Sequence, residues 1–315
     1  MRKPVRFPNA EQFIFKPKFI EQYSALTDWE EFKYYSLCFL RKSIRVNTLK
    51  ISIKDLKERL EARGWELEQV PWCEEGFWIY GERRDIGNLP EHILGYIYVQ
   101  EAASMIPPVV LDPQPGEKIL DMCAAPGSKT TQIGSYMKNE GVLIANDSMA
   151  KRLASLGVNV QRCGLKNAII TNMLGHLIKE KDFDRILLDA PCTGIGTIRK
   201  SPKTINMWNP NAMKKLVGIQ KNLIKNAFDL LKPGGTMVYS TCTLEPEENE
   251  AVVDYLLENY SNAKVLPINL NIKHKDPVME FQGKKYHESI RQTLRLWPQD
   301  NDTEGFYIAK IKKEE

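Results

Sequence analysis

No apolar run in the 315 residues approaches the ~18 that a membrane-spanning helix needs. The N-terminal MRKPVRFPNAEQF has no apolar core of the secretory-signal kind, so a cytoplasmic protein with no membrane partner is expected. The six cysteines (Cys38, Cys73, Cys123, Cys163, Cys192 and Cys242) are dispersed without a C-x-x-C, and the histidines His92, His176, His274 and His287 are dispersed too. That pattern argues against a disulfide framework, a zinc site and thioredoxin-type redox chemistry, and no metal is expected. There is no G-x-G-x-x-G and no G-x-x-x-x-G-K-[ST], which weakens the two commonest nucleotide-loop readings. Repeats and low-complexity tracts are absent, and the net charge of +4 is too small to argue for nucleic acid by itself. The length suggests about two domains.

The distribution of charge says more than its sum. From Ala190 to Phe228 there is no Asp or Glu, while Arg199, Lys200, Lys203, Lys214, Lys215, Lys221 and Lys225 all fall in that stretch. A one-sign field attracts anions. With Trp208 and the turn signals Ser201-Pro202 and Asn209-Pro210 inside it, the run reads as a nucleic-acid contact rather than a solvated helix face.

Residues 1–40 read as a helical, peripheral extension whose aromatics Phe13, Phe15, Phe19, Tyr23, Trp29, Phe32 and Tyr35 are docking contacts. Residues 41–112 read as a small α+β domain of the size of an RNA-binding module. It has a strand from Ser43, a helix from Ile53 to Arg63, short strands near 65–70 and 76–80, and a helix from Tyr98 to Leu111. From residue 113 to 315 strands and helices alternate, which implies α/β architecture with a mostly parallel sheet covered on both faces.

The chemistry falls at the ends of the expected strands. In KILDMCAAPGSKTT (118–131) a short apolar strand closes at Asp121, turns through Ala124-Ala125-Pro126-Gly127 and restarts as a helix at Ser128. Ligands bind beyond the carboxyl ends of such strands, and the free N–H groups of a helix start favour a carboxylate or phosphate. Asp147 ends the next strand, where a carboxylate meets ribose hydroxyls. Two further strand ends carry Asp189-Ala-Pro-Cys192 and Ser240-Thr-Cys242. Loops at one sheet edge converge, so the two thiols are expected near each other. A thiolate is a soft nucleophile suited to adding at carbon 6 of a pyrimidine, which makes carbon 5 able to take a methyl group.

The strings RVNTLK (45–50), YVQEAASMIP (98–107), LDMCAAPGSKT (120–130), DAPCTG (189–194), LKPGG (231–235), YSTCT with PEENE (239–250) and TLRLWPQDNDTEGFYIAKI (293–311) run in order over nearly the whole chain from about residue 40. On them the sequence resembles the RNA cytosine-5 methyltransferases of the Sun family, of the archaeal tRNA-modifying type. The resemblance implies a Rossmann-like class I methyltransferase domain with a seven-stranded sheet, its last strand antiparallel, preceded by a small RNA-recognition-motif-like domain. It implies S-adenosyl-L-methionine as cofactor and RNA as partner, with transfer RNA favoured and ribosomal RNA the runner-up. Cys123, Ala124, Ala125, Pro126, Gly127, Ser128 and Lys129 would hold the methionine part, Asp147 the ribose, with Arg152 close behind, and Asp189 the junction of cofactor and base. Where the family commonly has Asp, this chain has Leu174, which leaves Asn172 or the backbone to meet the adenine amino group. The resemblance makes Cys242 the nucleophile and Cys192 the thiol that aids product release, although Pro191-Cys192 matches the nucleophile dipeptide of DNA cytosine-5 enzymes. Lys129 and Asp189 would hydrogen-bond the base and offset its charge, and Arg199, Lys200 and Lys203 would grip phosphates. A catalytically silent RNA-binding scaffold is the competing reading. It is disfavoured by the presence of both Cys242 and Asp189.

Overall fold

The computed structural model describes residues 2–82 and 85–315. Two short helices open the chain, α1 (Pro17–Ser24) and α2 (Trp29–Ser36). Asp28 caps α2 by accepting the Glu31 N–H at 2.9 Å. Their aromatic faces are not peripheral. Phe15, Phe19, Tyr23 and Phe32 are buried in one cluster with Ile195, Trp208, Leu244 and Trp297 from the far half of the chain. Tyr23 stacks on Phe32 at 5.3 Å, and Phe19 meets Trp208 edge-on at 5.4 Å.

The small unit runs β1 (Ser43–Val46), α3 (Ile53–Glu61), β2 (Glu66–Gln69), β3 (Gly76–Tyr80), α4 (Pro90–Ile93) and β4 (Ile97–Val99). Its antiparallel sheet has the order β2–β3–β1–β4. The helix expected from Tyr98 is a strand at its start, because Ile97 to Val99 pair with β1. Only α5 (Ile106–Leu111) is helical, with Pro107 and Pro108 in its first turn, where a missing N–H costs nothing. Buried polar bonds tie the unit to the second half of the chain. Arg45 donates to Gln100 Oε1 and Thr131 Oγ1, both at 2.9 Å, and Asn47 Nδ2 to the Cys163 carbonyl at 2.8 Å.

The second half comprises β5 (Lys118–Asp121), α6 (Ser128–Tyr136), β6 (Val142–Asn146), α7 (Ala150–Cys163), β7 (Ala168–Thr171), β8 (Phe183–Asp189), α8 (Thr204–Met207), α9 (Pro210–Leu230), β9 (Leu231–Thr241) and α10 (Glu250–Asn259). It closes with β10 (Ala263–Leu266), the hairpin β11 (Glu280–Phe281) and β12 (Lys284–Lys285), β13 (Leu294–Leu296), α11 (Pro298–Asn301) and β14 (Phe306–Lys313). Seven strands lie in the order β10–β14–β9–β8–β5–β6–β7, with β13 added beside β14. The pairs from β7 to β9 are parallel, and β14 is antiparallel to its neighbours, as the resemblance implied. Residues of alternate parity feed the two faces. Leu120, Leu188, Tyr239 and Tyr307 pack under α9 and α10, while Ile119, Leu187, Val238 and Ile308 pack with α5, α6 and the small unit's Trp72 and Trp78. The chain steps outward from β5 to β7 and then crosses back to β8. That reversal opens a crevice at the carboxyl ends of β5 and β8.

Candidate active site

The crevice holds a cavity of about 430 Å³, lined among others by Asp121, Cys123 to Pro126, Ser128, Lys129, Arg152, Asp189 and Cys242. That volume suits a small-molecule ligand. Gly127 sits at φ +105°, in the left-handed region, as it turns the chain from β5 into α6. Thr130 donates to Asp121 Oδ2 at 2.7 Å, while Asp121 Oδ1 is buried without a partner. Burial pushes Asp121 up to about 7. An orphaned acidic oxygen beside free helix-start N–H groups fits a ligand carrying both an ammonium and a carboxylate, as the methionine end of S-adenosylmethionine does.

The residues expected at the ribose and adenine are placed differently. Asp147 is 2 % exposed. Its oxygens accept the Ala125 N–H at 3.1 Å and the Met149 N–H at 2.9 Å, and Arg152 pairs with it at 3.2 Å. Arg152, which also donates to the Ala125 carbonyl, lines the cavity in front of it. Asp147 thus clamps the 124–127 turn and lies outside the cavity lining. Asn172 donates to the Asp147 carbonyl at 2.6 Å and is exposed, outside the cavity lining.

At the opposite wall the expected catalytic groups meet. Lys129 Nζ donates to Asp189 Oδ2 at 2.8 Å and to Ser104 Oγ at 3.0 Å, and Ser240 Oγ donates to Asp189 Oδ1 at 2.8 Å. Burial works to lower Lys129, but the charge and hydrogen bond of Asp189, with a smaller contribution from Cys242, hold it above its ordinary value. Cys192 Sγ and Cys242 Sγ are 3.5 Å apart although 50 residues separate them. The hydrogen bond to Cys242, then burial, push Cys192 well above the usual thiol range.

Glu248 registers the two thiol loops, a role its place in the sequence does not announce. It accepts the Thr193 N–H at 3.0 Å, the Thr193 hydroxyl and Gln220 Nε2 at 2.9 Å, while Thr193 and Thr243 hydroxyls meet at 2.8 Å. Asn249 Nδ2 donates to the Thr243 carbonyl at 3.1 Å. The available signal was the acidic run PEENE directly after the Cys242 loop, since carboxylates so close to a buried strand need internal donors. Gly196 donates its N–H to the Cys242 carbonyl at 3.0 Å, and a Cβ there would stand 2.7 Å from the same oxygen.

The phosphate grip needs correction. Arg199 is 3 % exposed. It binds Asp302 Oδ1 at 2.6 Å and the carbonyls of Thr303, Phe39 and Cys38 at 3.1, 2.8 and 3.3 Å. It is a structural cation whose partner lies 103 residues away, beyond the reach of a local charge count. Trp208, expected within the same nucleic-acid contact, is buried, with Nε1 donating to Glu245 Oε1 at 2.7 Å. Lys214, Lys215 and Lys225 lie on the exposed face of α9. Lys200 and Lys203 are exposed, and Lys200 lines the cavity. Among the described residues no cluster could hold a metal ion, and no helix is long and apolar enough to cross a membrane.

The chain is similar to known proteins over almost its whole length. Residues 108–312 match the family model for 16S rRNA methyltransferase RsmB/F, and residues 15–102 that for the N-terminal domain of 16S rRNA methyltransferase RsmF. The tRNA (cytosine(49)-C(5))-methyltransferase of Pyrococcus abyssi is 50 % identical over 299 residues, covering 94 % of this chain and 96 % of that protein. The ribosomal RNA small subunit methyltransferase F of Shewanella amazonensis is 44 % identical over 291 residues; the match covers 90 % of this chain but only 60 % of that longer protein. The crystal structure of a methyltransferase homolog from Pyrococcus horikoshii superposes with a TM-score of 0.85 at 38 % identity, covering 98 % of this chain and 99 % of that one.

Proposed function

The chain belongs to the RsmB/F family of S-adenosylmethionine-dependent RNA cytosine-5 methyltransferases, and from that premise we propose that it methylates a cytosine of transfer RNA through a covalent bond between Cys242 and carbon 6 of the base. The observation that carries the covalent step is the thiol pair. Cys242 lines the cavity and Cys192 lies behind it, the two sulfurs 3.5 Å apart, so Cys242 is the sulfur placed to meet the base. The cofactor would be held by Asp121 and the 123–129 turn, and it supplies an electrophilic methyl group.

Addition of the Cys242 thiolate to carbon 6 breaks the ring's 5,6 double bond and makes carbon 5 nucleophilic. Once carbon 5 carries the methyl group, its proton must leave, the double bond re-forms and the Cys242 sulfur is expelled. At that stage Cys242 is a thioether. Cys192, 3.5 Å from that sulfur, would then serve as the base: its own proton passes to solvent, and its thiolate takes the carbon 5 proton. Lys129, anchored by Asp189 and Ser104, provides a fixed positive charge beside the developing adduct. The target nucleotide must leave any stacked helix to reach the sulfurs.

Transfer RNA is favoured by near end-to-end similarity to a tRNA-modifying relative, whereas the ribosomal RNA relative is much longer than this chain. A tRNA target and six unpaired cysteines fit a cytoplasmic setting. The test is incubation with cofactor and unmodified total RNA, followed by bisulfite sequencing. A new protected cytosine in tRNA is expected, with position 49 examined first. Protection only in ribosomal RNA would replace the tRNA reading.

A further inference from the structure

The loop leading into β14 carries a carboxylate that the methyl-transfer steps leave unused. Its outer side is pinned by Arg199 and by Arg41, whose Nε lies 2.9 Å from Asp302 Oδ2. Its inner side is held backbone to backbone: Gly305 donates to the Gly196 carbonyl at 2.9 Å, and a Cβ on Gly196 would stand 2.2 Å from the Gly305 carbonyl. Between these clamps Glu304 turns inward. It is 4 % exposed, and its Oε1 is buried without a hydrogen-bond partner. Its backbone N–H donates to Glu101 Oε1 at 3.3 Å.

Glu304 and Glu101 line two adjoining spaces. One is the cavity of Cys242, Lys129 and Asp189; the other is a groove along Phe39–Ser43 and Val99, where Phe39 and Val99 are exposed apolar side chains. Burial and the neighbouring Glu304 charge push Glu101 up to about 8. Burial raises Glu304 as well, but Lys200, Lys129 and Arg199 act against that rise.

A buried acceptor without a donor is costly, and a ligand that brings the donor relieves the cost. We propose that Glu304 accepts a hydrogen bond from the exocyclic amino group of the target cytosine and so discriminates it from uracil. This rests on the reading of the substrate as an RNA cytosine. Cytosine carries a donor at carbon 4 where uracil carries an acceptor, and a carboxylate facing the latter repels it. The other carboxylates of the cavity have neighbours already: each Asp189 oxygen accepts one bond, from Ser240 or Lys129, and Asp121 sits at the methionine end with Thr130.

The experiment compares two RNAs that differ at the target position, one with cytosine and one with 2-pyrimidinone, which lacks the amino group but still takes a thiolate at carbon 6. For Glu304→Leu, kcat/KM on the cytosine RNA should fall about 100-fold, as for loss of a charge-assisted hydrogen bond. Covalent capture of the pyrimidinone RNA should stay within about threefold of the parent, since no amino-group contact is there to lose. Glu304→Gln, which keeps an acceptor, should fall in between, and cofactor affinity by calorimetry should match the parent for both. Equal losses on both RNAs, or no loss on cytosine, would overturn the proposal. So would disappearance of the loss on a 2′-deoxycytidine target, which would make the ribose hydroxyl the donor. Parent protein that neither methylates the cytosine RNA nor captures the pyrimidinone RNA would instead refute the enzyme reading itself.

Discussion

Arg199 gives the sharpest separation of structure from local sequence, and Arg199→Ala tests it. The guanidinium holds the Asp302 carboxylate and three backbone carbonyls in a site from which water is excluded. Asp302 keeps Arg41 at 2.9 Å, so the charge left behind is partly compensated. The carbonyls of Cys38, Phe39 and Thr303 have no such substitute. Removing one member of a buried pair costs roughly 3–5 kcal/mol. With about 2.1 cal/mol/K of unfolding entropy per residue over 315 residues, that corresponds to a Tm lowered by about 5–8 °C. A thermal melt of the cofactor-free protein, beside RNA-binding isotherms at several salt concentrations, reads both consequences. The melt should shift while the salt slope of RNA binding stays at the parent value. An unchanged Tm with a salt slope reduced by one phosphate contact would show that Arg199 faces RNA after all.

Lys200→Ala with Lys203→Ala should leave the Tm alone and reduce the slope of log K against log salt by about 1.4–1.8, two contacts' worth; an unchanged slope would make both lysines plain solvated surface. Cys242→Ala should abolish methyl transfer and any covalent protein–RNA band, whereas Cys192→Ala should accumulate that band on a denaturing gel. A band that survives loss of Cys242 and vanishes with loss of Cys192 would reverse the two roles. Asp121, raised by burial from an ordinary 3.8 to about 7, holds a proton in the fold that the unfolded chain releases. Its contribution is thus fully present below about pH 4 and is lost as the pH rises towards 7, at up to ~1.4 kcal/mol per pH unit. Asp121→Asn should remove that slope in urea unfolding of the cofactor-free protein between pH 5 and 7, and parallel curves for parent and variant would refute the assignment.

The strand-to-helix turn after β5, the parallel alternation and the four strand-end loops were legible because each depends on neighbours in sequence: an apolar run, small turn residues, a restart at Ser128. The same local logic misread Tyr98 to Leu111, whose first residues pair with β1 rather than continue into a helix. It also missed β10, whose Ala263–Leu266 carries too weak a pattern to announce an antiparallel partner in β14.

What the sequence by itself determined is the set of reactive groups and the ends of the strands that carry them. Cys192, Cys242, Asp189 and Lys129 could be named as candidates in advance because loops at one sheet edge converge wherever strands run parallel, and the family resemblance gave them their expected roles. The tertiary structure alone decided which charges work in solvent and which hold the fold. Arg199 reads as part of a basic run until Asp302 folds against it, and Trp208 reads as part of a nucleic-acid contact until α1 and α2 cover it. Glu248 and Glu304 are two acidic residues among 40 in the sequence, yet one locks the two cysteine loops together and the other lines the pocket with a buried, unpartnered oxygen. Burial and pairing are properties of distances that chain order does not encode, and they set the cost of a charge.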